Sequence, residues 1–201
     1  FFGSQPYSTA GFFDPQDPES FYAMNVRYVV DYEKGTWKPA ATILREREEA
    51  GVKLAQASSH GGGKIFVHQG RKFLFTGGGM ALDVNLYEEV GGRWVPRLSK
   101  YVAQVSAPGP VGKNGKPGKP KVTKTPMLWL DANNDGQVQP EEIAPLGTRL
   151  GNTWQMDVDA GLNIYTFSGD GWSEPRAEGR RTPPFTILKL DFLGFGPDGG
   201  L

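Results

Sequence analysis

The sequence predicts an all-β protein built from antiparallel meander sheets, and three observations carry that prediction. Glycine and proline are abundant (28 and 16 residues) and aromatic residues make up 12% of the chain, which suits short strands and tight turns better than a helical bundle. Apolar and polar residues alternate with period two over several short runs. The segments between those runs are rich in turn-forming residues.

Residues 1–24 are aromatic but interrupted by Pro6, Pro15 and Pro18, which predicts an irregular N-terminal segment and no strand pair. Residues 25–201 are predicted to form one β domain. Its strands are read from the alternating runs at 25–32, 64–68, 72–75, 82–87, 127–130, 162–167 and 186–191. His68-Gln69-Gly70-Arg71 and Asp159-Ala160-Gly161 have the composition of hairpin turns, so neighbouring strands are expected to pair antiparallel. Ile43 to Ala50, with alternating charges and good helix formers before Gly51, is predicted to be a short surface helix. A second short helix is expected near 140–145.

Lysine plus arginine and aspartate plus glutamate both number 22, so no charge bias draws the chain to nucleic acid. No run of about 18 apolar residues predicts a membrane span. The absence of cysteine removes disulfides, thiolate metal sites and cysteine nucleophiles. The chain opens on Phe1-Phe2-Gly3 without methionine and stops after an apolar run, which suggests a piece of a longer protein.

One motif has a specific chemistry. Asp131-Ala132-Asn133-Asn134-Asp135-Gly136-Gln137-Val138-Gln139-Pro140-Glu141-Glu142 fits the twelve-residue EF-hand calcium loop. A hard divalent ion takes six to eight oxygens at about 2.3–2.6 Å, supplied from loop positions 1, 3, 5, 7, 9 and 12. Asp131, Asn133 and Asp135 offer side-chain oxygens, Gln137 its backbone carbonyl, Gln139 a direct or water-mediated contact, and Glu142 a bidentate carboxylate. Gly136 stands where the loop turns sharply. The bland reading is an Asp/Asn-rich turn that binds nothing, but all six positions are suitably filled. No second loop is present to pair with this one, so the expected role of Ca2+ is a structural clamp and not a sensor.

Tyr32-Glu33 followed by Gly35-Thr36-Trp37-Lys38-Pro39 is echoed by Tyr87-Glu88 followed by Gly92-Arg93-Trp94-Val95-Pro96, with a looser third copy at Gly171-Trp172 and Pro175. Repeated sheet units with a Gly/Trp mark at a hairpin are what propeller blades look like. Asp157-Val158-Asp159-Ala160-Gly161-Leu162-Asn163-Ile164-Tyr165 resembles the D-x-x-G-x-I-Y hairpin of bacterial β-propellers of the NHL and quinoprotein-like sort. Leu128-Trp129-Leu130-Asp131, leading into the loop, resembles calcium-loop insertions of large secreted bacterial proteins that carry such propellers. The resemblance implies part of a β-propeller, an extracellular or periplasmic location, and partners in the parent protein, other subunits or polysaccharide.

Other motifs weigh less. Residues 106–125 carry Lys113, Lys116, Lys119, Lys121 and Lys124 among Pro and Gly. They read as a solvated insertion that the fold does not need, since no aromatics interleave to stack bases or sugars. His60-Gly61-Gly62-Gly63 lacks the G-x-S-x-G elbow of a lipase, and Gly194 to Gly199 fits G-x-G-x-x-G with no helix after it. His60 and His68 lack an obvious third ligand. Asp157, Asp159 and Asp170 gather around one hairpin, where turns collect aspartate for local reasons. Two classes of function follow: a non-catalytic, calcium-stabilised scaffold or binding module of a larger secreted protein, or a piece of a propeller enzyme acting on polysaccharide or using a quinone. The first accords better with the lack of any nucleophile arrangement.

Overall fold

The computed structural model describes residues 11–23, 25–43, 47–54, 62–77, 84–109, 118–146, 157–168 and 186–201. They form an all-β structure with no α-helix among the described residues. Strands β1 (Phe12–Asp14), β2 (Asp17–Ala23), β3 (Val26–Asp31) and β4 (Thr36–Thr42) make a four-stranded meander. A short hairpin joins β5 (Arg47–Glu49) to β6 (Val52–Leu54). The six-stranded sheet comprises β7 (Gly62–His68), β8 (Arg71–Gly77), β9 (Val84–Val90), β10 (Arg93–Ala107), β11 (Lys121–Leu130) and β12 (Ile143–Pro145), in that spatial order. Finally β13 (Asp157–Val158), β14 (Ile164–Ser168) and β15 (Thr186–Leu190) form a three-stranded sheet. Every pairing is antiparallel, as the hairpin-rich sequence predicts.

The middle of the six-stranded sheet is buried on both faces, which explains the nearly continuous apolar run Phe73-Leu74-Phe75. On one face Phe66, Phe73, Phe75, Leu86 and Leu98 pack with Val158, Leu162 and Ile164 of the three-stranded unit and with Phe192, Phe195 and Leu201 of the C-terminal segment. On the other, Ile65, Leu74 and Tyr87 meet Tyr22 and Phe12 of the four-stranded sheet. Farther along that face, Val52 and Leu54 cover Tyr101 and Trp129. An ion pair between Lys72 and buried Asp14, with Glu89 at 3.5 Å from the same ammonium, fastens the four-stranded sheet to this layer.

Several expectations are corrected. The N-terminal segment is not irregular throughout: Phe12↔Tyr22 and Phe13↔Phe21 pair as a hairpin, with Pro15 in its turn. Pro15 and Pro18 sit in the turn and near the start of β2, where they remove no needed ladder bond, and Phe12 stacks on Tyr22 with centroids 5.5 Å apart. The helix expected at 43–50 is replaced, over its described residues 47–50, by the β5 strand and its turn. Ala50 (φ 47°) and Gly51 (φ 81°) form that turn, and burial of Val52 and Leu54 outweighs local helix propensity. Near 140–145 only a single 3₁₀ turn forms, Pro140–Glu142, before β12. The lysine-rich segment 106–125 is partly ladder, since Ser106↔Val122 and Ala107↔Lys121 extend the β10–β11 pair into it. Trp37 stands opposite Val30 and Trp94 opposite Glu89, each beside the turn of its hairpin, but Tyr32-Glu33 lies in a turn and Tyr87-Glu88 within β9; Gly171-Trp172 and Pro175 lie outside the described residues.

Candidate metal centre

The predicted calcium loop begins where β11 ends, held between neighbours on both sides. Arg97 accepts the Asp131 N–H at its carbonyl (2.9 Å), and the Leu201 N–H reaches the Asp131 carbonyl (3.3 Å). Asp131 is fully buried. Its Oδ1 accepts the Asp135 N–H (3.0 Å) and its Oδ2 the Gly136 N–H (3.1 Å), so position 1 folds the loop back on itself. Asn134 (φ 62°) and Gly136 (φ 71°) adopt left-handed backbone. At Gly136 glycine is required twice over, because a Cβ would also stand 2.4 Å from a Val95 methyl.

The middle of the loop gathers three polar heads. Asp135 Oδ2 accepts from Asn133 Nδ2 (3.1 Å) and Gln139 Nε2 (2.7 Å), and its Oδ1 accepts the Gln137 N–H (2.7 Å). The Gln137 N–H is the main cause that holds the Asp135 carboxyl below the usual carboxylate range, with the two amides adding to it. Positions 3, 5 and 9 therefore converge. Position 12 is fixed separately: Glu142 Oε1 accepts the Ala132 N–H (3.0 Å), and Oε2 accepts the indole N–H of fully buried Trp129 (2.9 Å).

The residues fit a hard cation in donor chemistry, since every side-chain donor is an oxygen or an amide that a half-turn presents as oxygen. Gln139 Oε1 is buried without a hydrogen bond, an acceptor in want of a donor or a cation. The Glu142 N–H faces Gln139 but is bonded to its backbone carbonyl (3.1 Å). No cluster of three or more His, Cys, Asp or Glu suited to a metal occurs among the described residues, the loop carboxylates included. The oxygens of Asp131 and Glu142 are engaged by N–H donors.

Sequence reasoning missed a row of charges behind the loop, three of them buried and Arg71 half-buried. Arg71 grips Glu88 with Nε and Nη2, both at 2.6 Å. Arg97 Nε donates to Glu88 Oε2 (2.8 Å), and Arg97 Nη1 forms an ion pair with Asp131 Oδ2. Arg71 also donates to the Gly199 carbonyl (2.8 Å) and lies 3.8 Å over the Phe195 ring. The row thus alternates in sign across β8, β9, β10 and the loop, and touches the C-terminal segment. Its one sequence signal is Arg97, a charge following Pro96 where strand alternation breaks.

Asp159 and His68 are held in local contacts. Asp159 accepts from the Asn163 side chain and backbone, the Gly161 N–H and the Tyr165 hydroxyl, and these bonds lower its carboxyl to about 2. A carboxyl so acidic and so fully engaged latches a turn and is a poor proton donor at neutral pH. His68 Nδ1 lies 2.7 Å from the Ala160 carbonyl, and its ring meets Phe192 edge-on. Gly196 and Gly200 close a terminal turn (2.8 Å). His60 and Asp170 lie outside the described residues. No protein-family model, curated protein or solved structure matches the chain.

Proposed function

We propose that residues 131–142 bind Ca2+ and that the ion serves as a structural clamp in a non-catalytic, propeller-like scaffold or binding module of a larger secreted protein, extracellular or periplasmic. The observation that carries the reading is the loop's local geometry. Buried Asp131 catches the Asp135 and Gly136 N–H groups, Gly136 makes the left-handed turn, and Gln139 keeps a buried oxygen without a donor.

Asp131, Asn133 and Asp135 would hold the ion through side-chain oxygens, Gln137 through its carbonyl, Gln139 through Oε1, and Glu142 through its carboxylate. The ion would supply positive charge where the three ligating carboxylates, Asp131, Asp135 and Glu142, stand on one short segment. Trp129 ties Glu142 to the core, so ordering the loop also steadies the end of β11. The stacked antiparallel meanders and the two Trp residues beside hairpin turns support the propeller-like part of the reading.

Calorimetric titration of the intact protein with Ca2+ and with Mg2+ is the test. Calcium is expected to bind in preference to magnesium and to raise the melting temperature over that in chelator. The stabilisation expected at a hundredfold excess over Kd is about 2.7 kcal/mol. Absence of heat and of any melting shift at millimolar calcium would refute the reading.

A further inference from the structure

Asp131 is sealed from solvent, yet the charge that balances it comes from outside the loop. Arg97, only 4% exposed in its side chain, pairs with Asp131 Oδ2. We propose that Arg97 is a resident counter-cation for the first position of the loop: it lets the loop fold without a metal and weakens the binding of calcium there. The proposal rests on the calcium reading above and deepens it.

Three observations lead to it. The first is how the side chain is aimed. In the β9–β10 ladder Pro96 pairs with Tyr87 and Leu98 with Leu86, so Arg97 is the extra residue of a β-bulge. A bulge re-aims a side chain out of strict alternation, and Pro96 has no N–H to lose there. The second is confinement. Asp131 is 0% exposed and Glu88 9% in their side chains, so the guanidinium cannot trade either partner for water without disrupting the layer.

The third is the charge count. Glu88 is already gripped by two nitrogens of Arg71, so Arg97 is not exhausted by Glu88 and serves Asp131 as well. The row Arg71–Glu88–Arg97–Asp131 sums to zero with no ion present. A divalent ion drawn to Asp131 would meet a fixed positive charge bonded to the same carboxylate, and affinity in such loops follows ligand charge. Arg97 also fixes which way the carboxylate faces, since Oδ2 is held by Arg97 and Gly136 while Oδ1 holds only the Asp135 N–H.

Arg97→Met removes the charge and keeps much of the bulk; Arg97→Lys restores a charge at the same place. Calcium Kd by calorimetry, and melting in calcium and in chelator, would be measured for both variants and for the parent chain. The expected result is an Arg97→Met protein that melts lower in chelator, largely recovers in calcium, and binds calcium about tenfold more tightly. Arg97→Lys should return the calcium response to near the parent's. If Arg97→Met does not fold in chelator, recovery of its β circular dichroism on adding calcium reads the same coupling. Equal loss of stability with and without calcium, or no recovery at millimolar calcium, would overturn the proposal and leave Arg97 a purely structural residue. A calcium response in the parent but an unchanged increment in the variant sinks the counter-cation role alone, whereas no response in either protein sinks the calcium reading with it. A response confined to Arg97→Met would show that Arg97 blocks the site, and would at the same time refute calcium binding by the parent chain.

Discussion

Replacing Glu88 by glutamine tests the charge row with little change of shape. The carboxylate receives three charge-assisted bonds, two from Arg71 at 2.6 Å and one from Arg97 at 2.8 Å, and its side chain is 9% exposed. Glutamine keeps one acceptor and turns an NH2 group toward a guanidinium. Removing one partner of a buried ion pair costs about 3–5 kcal/mol. Arg71 would still hold the Gly199 carbonyl and the Phe195 face and is 21% exposed, which places the cost at the lower end, about 3 kcal/mol. For a chain of this size about 2–4 °C is lost per kcal/mol, so melting should fall by about 6–12 °C. Urea denaturation of both proteins across pH gives a second check. Burial alone would raise the Glu88 carboxyl, but bonds and charge from Arg71 and then Arg97 bring it below the usual range. A group depressed in the folded state contributes its stability above its unfolded pKa and loses it as pH falls through the folded value. The gap between the proteins should therefore be full at neutral pH and narrow below about pH 4. A gap under about 1 kcal/mol at neutral pH, or one that widens in acid, would refute the reasoning.

The Asp159 latch predicts an optical signature. The Asp159 carboxylate accepts the Tyr165 hydroxyl and raises the Tyr165 pKa, so Asp159→Asn should let that phenol ionise at lower pH in an ultraviolet titration referenced to Tyr165→Phe. With its carboxyl at about 2, the parent latch should hold through mild acid and fail only as pH approaches that value. At Gly200 a Cβ would stand 2.2 Å from the Ala132 carbonyl oxygen, so Gly200→Ala should push the C-terminal segment off the loop. The expected cost is about 1–3 kcal/mol by urea denaturation, and an unchanged midpoint would show that this contact is not tight.

Local signals in the chain were the legible ones. Seven strands show as alternating runs because each has a face to bury, and the loop shows because its donors are spaced along twelve consecutive residues. β4 escaped because all seven of its residues are exposed, which leaves no apolar alternation to read. β1 and β2 hid behind prolines that in space occupy a turn and a strand start. The helix expected at 43–50 was a choice between local propensity and a distant apolar patch, and Tyr101 and Trp129 decide it. The charge row needs the pairing register of β8 through β11 plus one bulge, and none of that is written in spacing along the chain.

Residue 97 is supernumerary to the ladder. With it removed, Pro96 and Leu98 would become consecutive and still face Tyr87 and Leu86, which are themselves consecutive. Every ladder pair on either side would keep its partner, although the bond from the Asp131 N–H to the residue-97 carbonyl would go with it. A chain shortened by that single position would have the same register and the same apolar faces but no cation beside Asp131. In an alignment of related chains, the presence or absence of one residue at this point would then sort loops balanced from within from loops left to be balanced by a metal.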